Sequence, residues 1–226
     1  MLTSSEEFWN LIHHYDASIF PVQFAFSIVA IVLIVFIAKK PSAKLNRLVN
    51  FFLMLCYLWI GIIFFLGFNR ELSAQMHYFQ PVLIFIIALL FGLDIFIKNS
   101  NFQFPTVRWH RGIVLFFLVY SIVGYPLIGW LLGHPYSVEI AGGFSIWVPI
   151  VGVYPCPTTI LSIALLGAAL PQGDKKVMIP LLFWALFSIF GPPVRNYGVY
   201  EDIGLFMAGI YGLLILIKSY RQKSNE

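Results

Sequence analysis

Charge is what this sequence has least of. Only 11% of its 226 residues are Asp, Glu, Lys or Arg, whereas soluble domains carry about 25%. A soluble protein of this size needs a largely polar surface, yet 60% of this chain is apolar. The shortage of charge therefore excludes a soluble enzyme, a disordered chain and a nucleic-acid-binding protein. It indicates a polytopic membrane protein.

Cysteine is also scarce, and Lys and His are missing from the apolar runs. The two cysteines, Cys56 and Cys156, both lie inside such runs, which excludes the disulfide framework of a small secreted domain. A retinal protein needs a lysine midway along its last span, where this chain has none, so no retinal is expected. A thiol nucleophile would lack a neighbouring base, so an intramembrane enzyme is the least favoured class.

Seven apolar runs are present, and most approach the 20 or so residues that cross a bilayer. Backbone in lipid must satisfy its own hydrogen bonds, so the pattern predicts an all-α bundle of seven transmembrane helices. The runs cover residues 21–38, 48–68, 81–97, 112–132, 142–170, 177–191 and 203–217.

The basic residues predict how this bundle is oriented. Twelve of the 14 Lys and Arg residues fall in the first, third and fifth loops and the C-terminal tail, and the exceptions are Arg70 and Arg195. Because basic loops stay in the cytoplasm, the N-terminus is predicted outside and the C-terminus inside. We expect an outer interfacial segment at 1–20, a transmembrane domain at 21–218 and a cytoplasmic tail at 219–226.

The fifth run is longer than a straight crossing needs, and prolines interrupt it. Pro155 and Pro157 would leave the carbonyl groups of Val151 and Val153 without helical donors. The run therefore predicts a helix broken at Pro155–Pro157, whose halves meet near the middle of the bilayer. Such breaks bind ions or substrates in transporters. The alternative is a kink that neighbouring groups stabilise.

Two hydroxyl residues and a thiol accompany this break. Thr158 or Thr159 could cap the second half-helix, and both are candidates to line an ion or ligand pathway with Cys156. Soft thiolate ligands favour copper(I) or a similar metal, so Cys156 and Cys56 form a speculative metal site. The alternative is that each thiol packs as a small apolar side chain. No other cofactor is expected.

Several ionisable residues fall on the predicted outer face, where they form a second set of candidates. The histidines could collect a divalent metal or sense pH, although none has a metal-ligand spacing on one helix. Arg195 could bind an anionic ligand, or pair with an acidic neighbour and order the loop. These outer-face candidates are His13, His14, His77, His134, Arg195, Glu201 and Asp202.

Small residues recur every fourth position on the last run, at Gly204, Ala208 and Gly212. Such a stripe permits close approach of another helix. The partner helix is predicted either within the bundle or in a second copy of the chain, so an oligomer could form through this stripe.

Several longer segments resemble a family of uncharacterised bacterial integral membrane proteins. The segments are FPVQ at 20–23, AKKPS at 38–42, YPLIGWLLGHPY at 125–136, VYPCPTTILSIALL at 153–166, VMIPLLFWALFSIFG at 177–191 and YEDIGLFMAGI at 200–210. The resemblance covers nearly the whole chain. It implies a polytopic protein of the bacterial inner membrane and adds no settled activity.

Two functions of different classes follow from these residues. The first is a transporter or channel for a small solute or soft metal ion, whose pathway passes the fifth helix. The second is a receptor, sensor or accessory subunit without flux, which uses the outer loops. Transport predicts a continuous polar path through the bundle, whereas the second function predicts a dry centre.

Overall fold

The computed structural model describes residues 4–68, 74–97, 100–134, 136–140, 142–171 and 173–224, without the side chains of 74–77 and 222–224. It is mostly helical. Within these residues, six helices are long and apolar enough to cross a membrane, which supports an integral membrane protein. They are Val22–Lys39, Ala43–Phe68, Tyr78–Ile97, Arg108–Leu131, Lys175–Tyr197 and Asp202–Arg221.

The elements follow one another in a simple order, with two wide π-helical segments continuing α3 and α5. The helices are α1 Ser5–Ile19, α2 Val22–Lys39, α3 Ala43–Trp59, α4 Ala74–Ile97, α5 Arg108–Val119, α6 Tyr125–Leu131, α7 Pro155–Ala169, α8 Lys175–Ser188, α9 Pro192–Tyr197 and α10 Asp202–Ser224. The π segments are Ile60–Phe68 and Tyr120–Gly124, and the strands are β1 Ser137–Ile140 and β2 Phe144–Trp147.

Side chains cap three of the helices at their N-termini. Ser4 and Glu7 form a capping box on α1, Ser42 accepts from the backbone of Leu45 at the start of α3, and Asp174 caps α8. Each cap satisfies backbone N–H groups that the first turn leaves without partners. Helix α1 therefore occupies most of the segment at 1–20 that the sequence predicts as interfacial.

Helix α7 lies at the centre of the bundle, where it contacts α3, α5, α8 and α10. All but two of its 15 residues are buried. Its length is about 22 Å, shorter than the roughly 30 Å of a hydrocarbon core. A short helix is tolerated there because the buried, non-helical stretch before it packs against protein and not against lipid.

The fifth apolar run is not a broken helix, and this prediction is wrong for its first half. Residues 144–147 form β2, which pairs antiparallel with β1, so the fold is not purely helical. Gly142 and Gly143 make the turn with positive φ angles of 101° and 76°, which favour glycine. Pro155 and Pro157 lie in the first turn of α7, where a missing N–H costs nothing. These prolines begin a helix and interrupt none.

Long-range hydrogen bonds join the segments between the helices into two groups, one at each end of the bundle. At the end that we call the loop end, side chains join the segments around residues 46–50, 94–101 and 174. At the end that we call the aromatic end, they join the segments around residues 9–16, 134–136, 154 and 197–202. Apart from Tyr154, which lies within the fifth apolar run, each group contains segments that the charge pattern assigns to one side.

The small-residue stripe of α10 packs inside the bundle. A Cβ atom at Gly204 would overlap the ring of Tyr120, and one at Gly212 would lie 2.8 Å from Leu182. Ala208 has no exposed surface. The stripe therefore permits close approach within the chain, which was one of the two predicted uses, and an oligomer through it stays a prediction.

Candidate functional site

A pocket of about 590 Å³ lies at the aromatic end, between α1 and the start of α7. A second pocket of about 550 Å³ adjoins it. Gln80, Cys156, Trp184 and Asp202 line both, so the two are parts of one recess. The first pocket is lined by Phe8, Trp9, Ile12, Phe64, Phe65, Gln80, Tyr125, Tyr136, Ile150, Tyr154, Pro155, Cys156, Pro157, Trp184, Pro193, Val199 and Asp202.

Both π-helical segments contribute to this recess. The first carries Phe64 and Phe65, and the second ends immediately before Tyr125. A π turn widens the helix and shifts the side chains that follow it, and such turns are frequent at functional sites. The two irregular helices thus place aromatic rings around the pocket.

Asp202 is the central polar group of the recess. Its side chain is only 1% exposed. The Tyr125 hydroxyl donates to its Oδ1 at 2.6 Å, and the Cys156 thiol donates to its Oδ2 at 3.5 Å. Asp202 is also the first residue of α10, where the helix dipole stabilises a negative charge.

Glu201 lies beside the recess in a network of its own. The Tyr136 hydroxyl donates to its Oε1 at 2.6 Å, and Nδ1 of His134 lies 2.9 Å from the same atom. Burial, followed by the nearby Glu201 carboxylate, raises the pKa of Tyr136, which therefore stays a neutral donor. The ring of Trp9 stacks on His134 with the centroids 3.9 Å apart, which attaches α1 to this network.

A third carboxyl group, that of Asp16, holds α1 against the turn before α7. The Tyr154 hydroxyl donates to its Oδ1 at 3.0 Å, and Gln23 donates to its backbone carbonyl at 2.8 Å. Burial raises the pKa of Asp16 to about 7. Next to it, the Tyr15 hydroxyl donates to the carbonyl of Val153 at 3.0 Å, so that carbonyl is not free.

Two buried polar atoms in the recess have no hydrogen-bond partner among the described residues. They are Oε1 of Gln80, an acceptor on α4, and Nε1 of Trp184, a donor on α8. Buried polar atoms are usually paired, and an unpaired one costs about 1–3 kcal/mol. A bound molecule with its own donors and acceptors would relieve this cost.

The structure divides the predicted pathway residues into two groups. Pro155, Cys156 and Pro157 line the recess. The others, Val151, Val153, Thr158 and Thr159, have no exposed surface.

The two threonines make internal hydrogen bonds. Thr158 donates to the carbonyl of Tyr154 at 2.6 Å and accepts from the backbone of Gly152 at 2.8 Å. It thereby ties down the turn before α7, although it is not the N-cap residue of the helix. The Thr159 hydroxyl lies 3.3 Å from that of Tyr57.

The outer-face candidates also divide into residues that meet at the aromatic end and residues that lie elsewhere. His134, Glu201 and Asp202 meet at the aromatic end, as described above. His14 is exposed beside Phe68, His13 is partly buried on the same helix, and the side chain of His77 lies outside the described residues.

The remaining outer-face candidate, Arg195, is exposed on α9, with its guanidinium 5.9 Å from the ring centre of Phe190. Its acidic neighbour Glu201 instead contacts His134, with Nδ1 of the histidine 2.9 Å from Oε1. The predicted loop-ordering pair between Arg195 and an acidic neighbour is not observed.

The described residues do not assemble a metal site of three or more ligands. No group of three His, Cys, Asp or Glu side chains in that part of the chain is arranged to hold a metal ion. Both cysteines are free thiols, and Cys56 is fully buried on α3. The speculative soft-metal site at Cys156 and Cys56 stays a prediction.

The aromatic and amide residues of the recess were missed by the sequence reasoning. Tyr136, Tyr154, Gln80 and Trp184 carry no spacing that distinguishes them from other residues at the ends of apolar runs. The available signal was local, because Tyr125 and Tyr136 begin and end the YPLIGWLLGHPY segment singled out for its resemblance. Their meeting with Asp202 depends on contacts across the bundle.

Comparison with known proteins places the whole chain in one family. The sequence model of DUF6064, a family of unknown function, matches residues 5–226, so the chain belongs to that family. This confirms that the family is an uncharacterised one. No curated protein matches the chain, and no solved structure matches it.

Proposed function

We propose that this member of the DUF6064 family is a ligand-binding membrane protein, a receptor or accessory subunit that binds a small organic cation at its aromatic end. The ligand would be an amine in its protonated form. Its ammonium group would lie against Asp202, and its apolar part would lie among the aromatic rings of the recess.

The observation that carries this proposal is the charge of the recess. Asp202 is the one formally charged side chain among the described residues that line either pocket, and no Lys, Arg or His lines them. Eight of the seventeen residues lining the first pocket are aromatic. Aromatic faces attract cations by about 2 kcal/mol or more when water is excluded, so a carboxylate among rings favours an organic cation over an anion.

Transport of such a cation is the second candidate, and the polar groups below the recess favour it. The hydroxyl of Tyr57 donates to Ser162 at 3.0 Å and lies near Thr159, which extends the polar groups along α7. These groups have no exposed surface, however. Binding without flux therefore ranks first.

The charge pattern supports a location for this site. With basic loops in the cytoplasm, the aromatic end faces outward and α1 covers it from the outer interface. The resemblance noted in the sequence supports the bacterial inner membrane, where the recess would sample the periplasm.

The test uses the purified chain in lipid nanodiscs with butylammonium as the probe. The background variant Cys56→Ser leaves Cys156 as the one thiol, and its alkylation by N-ethylmaleimide is followed by mass spectrometry. We expect saturable protection by butylammonium, a parallel change in tryptophan fluorescence from Trp9 and Trp184, and no protection by neutral butanol. Asp202→Asn should weaken protection at least tenfold.

Two outcomes contradict the proposal. Equal protection by butanol would show that charge plays no part, and unchanged protection in Asp202→Asn would remove the carboxylate from the site. Uptake of labelled butylammonium into proteoliposomes, abolished by Asp202→Asn, would replace the receptor function with transport.

A further inference from the structure

An apolar groove runs along the outside of the bundle between α4 and α8. Its volume is about 860 Å³. Most of its side chains are exposed to the surrounding bilayer. The residues that line it are Phe79, Val82, Leu83, Ile86, Leu90, Lys176, Ile179, Pro180 and Phe183.

The groove is continuous with the recess. Phe79, Leu83 and Phe183 line both the groove and the second pocket, and that pocket contains Asp202 and Gln80. A molecule lying in the groove can therefore place one end beside a buried carboxylate without leaving the membrane.

We propose that the ligand reaches the recess from within the bilayer and is a single-chain amphiphile with an ammonium head. The head binds Asp202, and the alkyl chain lies in the groove between α4 and α8. This inference rests on the proposed function, because it uses the same cation site and names the class of molecule that fills it.

The charges select this occupant over a phospholipid. A phosphate in the recess would face the carboxylate of Asp202, and no described residue that lines the recess is basic and could balance its charge. An ammonium group would balance the carboxylate. Oε1 of Gln80 lines the same pocket and has no hydrogen-bond partner among the described residues, so it is a further acceptor for the ammonium N–H groups. Lys176, the basic residue of the groove, lies at its opposite end.

The dimensions agree with an alkyl chain. From Phe79 to Leu90 the groove follows α4 for eleven residues, which is about 16 Å. A dodecyl chain is comparable in length. Burying it removes apolar surface from contact with the mobile lipid and holds the head at the mouth of the recess.

The experiment compares dodecylammonium with butylammonium as protectants of Cys156 in phosphatidylcholine nanodiscs. Ile86→Trp fills the groove from a position that lines neither pocket of the recess. Leu89→Trp is the matched control, because Leu89 lies on the same helix, is exposed to lipid and does not line the groove. Thermal unfolding of both variants checks that each remains folded.

We expect Ile86→Trp to weaken protection by dodecylammonium at least tenfold and to leave protection by butylammonium unchanged. Leu89→Trp should change neither. Dodecylammonium concentrates in any bilayer, so its absolute protecting concentration is not interpreted. The conclusion rests on the difference between the two variants.

The outcomes separate the two proposals. If butylammonium fails to protect the unsubstituted protein, the proposed function fails. If butylammonium protects but Ile86→Trp acts no differently from Leu89→Trp, the proposed function stands and the groove is not the binding site of the chain. Protection by dodecyl phosphate that Lys176→Gln abolishes would overturn the ammonium assignment in favour of an anionic lipid.

Discussion

The loop end and the aromatic end of this bundle each bury carboxyl groups, but they surround them differently. At the loop end, Asp94 accepts from Nδ2 of Asn50 at 2.7 Å and from the backbone of Ser100 at 3.3 Å. At the aromatic end, Asp202 accepts from a tyrosine hydroxyl and a thiol that line a recess. Both residues are aspartates, so the difference between the two ends lies in the groups that surround each carboxylate.

This comparison separates a buried carboxylate that connects parts of the fold from one that lines the recess. Asp94 connects α3 and α4 to the following loop, and Ser100 extends that connection to Asp174. Its donors belong to the fold and would be lost only if the loop moved. Asp202 lines the recess, and under the proposed function its carboxylate is the group that contacts the ligand.

The largest predicted effect concerns Asp16 at the aromatic end. Its pKa is about 7 in the folded chain and 3.8 in the reference state, so the folded chain binds the proton more tightly. The contribution of Asp16 to stability is therefore greatest below pH 4, declines as the pH rises through about 7, and becomes constant at higher pH. The loss is about 4 kcal/mol. Asp16→Asn should raise the thermal midpoint at pH 8 and flatten its dependence on pH.

The measurement is thermal unfolding in detergent between pH 4.5 and 8.5. Glu139→Gln removes the same charge from an exposed strand position and controls for net charge. If the pH dependence of the thermal midpoint is unchanged in Asp16→Asn, another group causes that dependence. This outcome would weaken the contrast between the two ends.

The second prediction tests the loop end. Asn50→Leu removes the side-chain donor to Asp94 and should destabilise the fold by about 2 kcal/mol, as expected for a hydrogen bond to a charged group. Protection of Cys156 by butylammonium should not change, because the recess lies at the other end. Denaturant unfolding measures the stability, and the alkylation assay measures the protection of Cys156 in the same sample. Weakened protection in the folded variant would show that the two ends are coupled.

The smallest predicted effect compares two helix caps. Ser42→Ala at the loop end and Ser4→Ala at the aromatic end each remove an N-cap hydrogen bond, worth about 1 kcal/mol. Only Ser4→Ala should speed the alkylation of Cys156, because it frays α1, whose Phe8 and Trp9 line the recess. Faster alkylation in both variants, or in neither, would show that α1 does not restrict access.

Local features of the sequence predicted the helices well. The predicted run at 112–132 corresponds to Arg108–Leu131, and the run at 203–217 lies within Asp202–Ser224. These elements follow from apolar length, which is a local property. The failure was at 142–154, because an apolar strand and an apolar helix cannot be told apart by hydrophobicity alone. The local sign of a turn there is the pair Gly142 and Gly143.

The sequence by itself determined that the chain is mostly helical and contains helices long and apolar enough to cross a membrane, because both depend on composition. Its distribution of charge predicts which segments share a side. Only the tertiary structure brought Cys156 to Asp202, 46 residues away, and Tyr154 to Asp16, 138 residues away. It also placed residues of the predicted fifth-run pathway and of the predicted outer-face site in one recess. The recess exists because separate helices place aromatic and carboxyl side chains at one depth, and no local pattern encodes that coincidence.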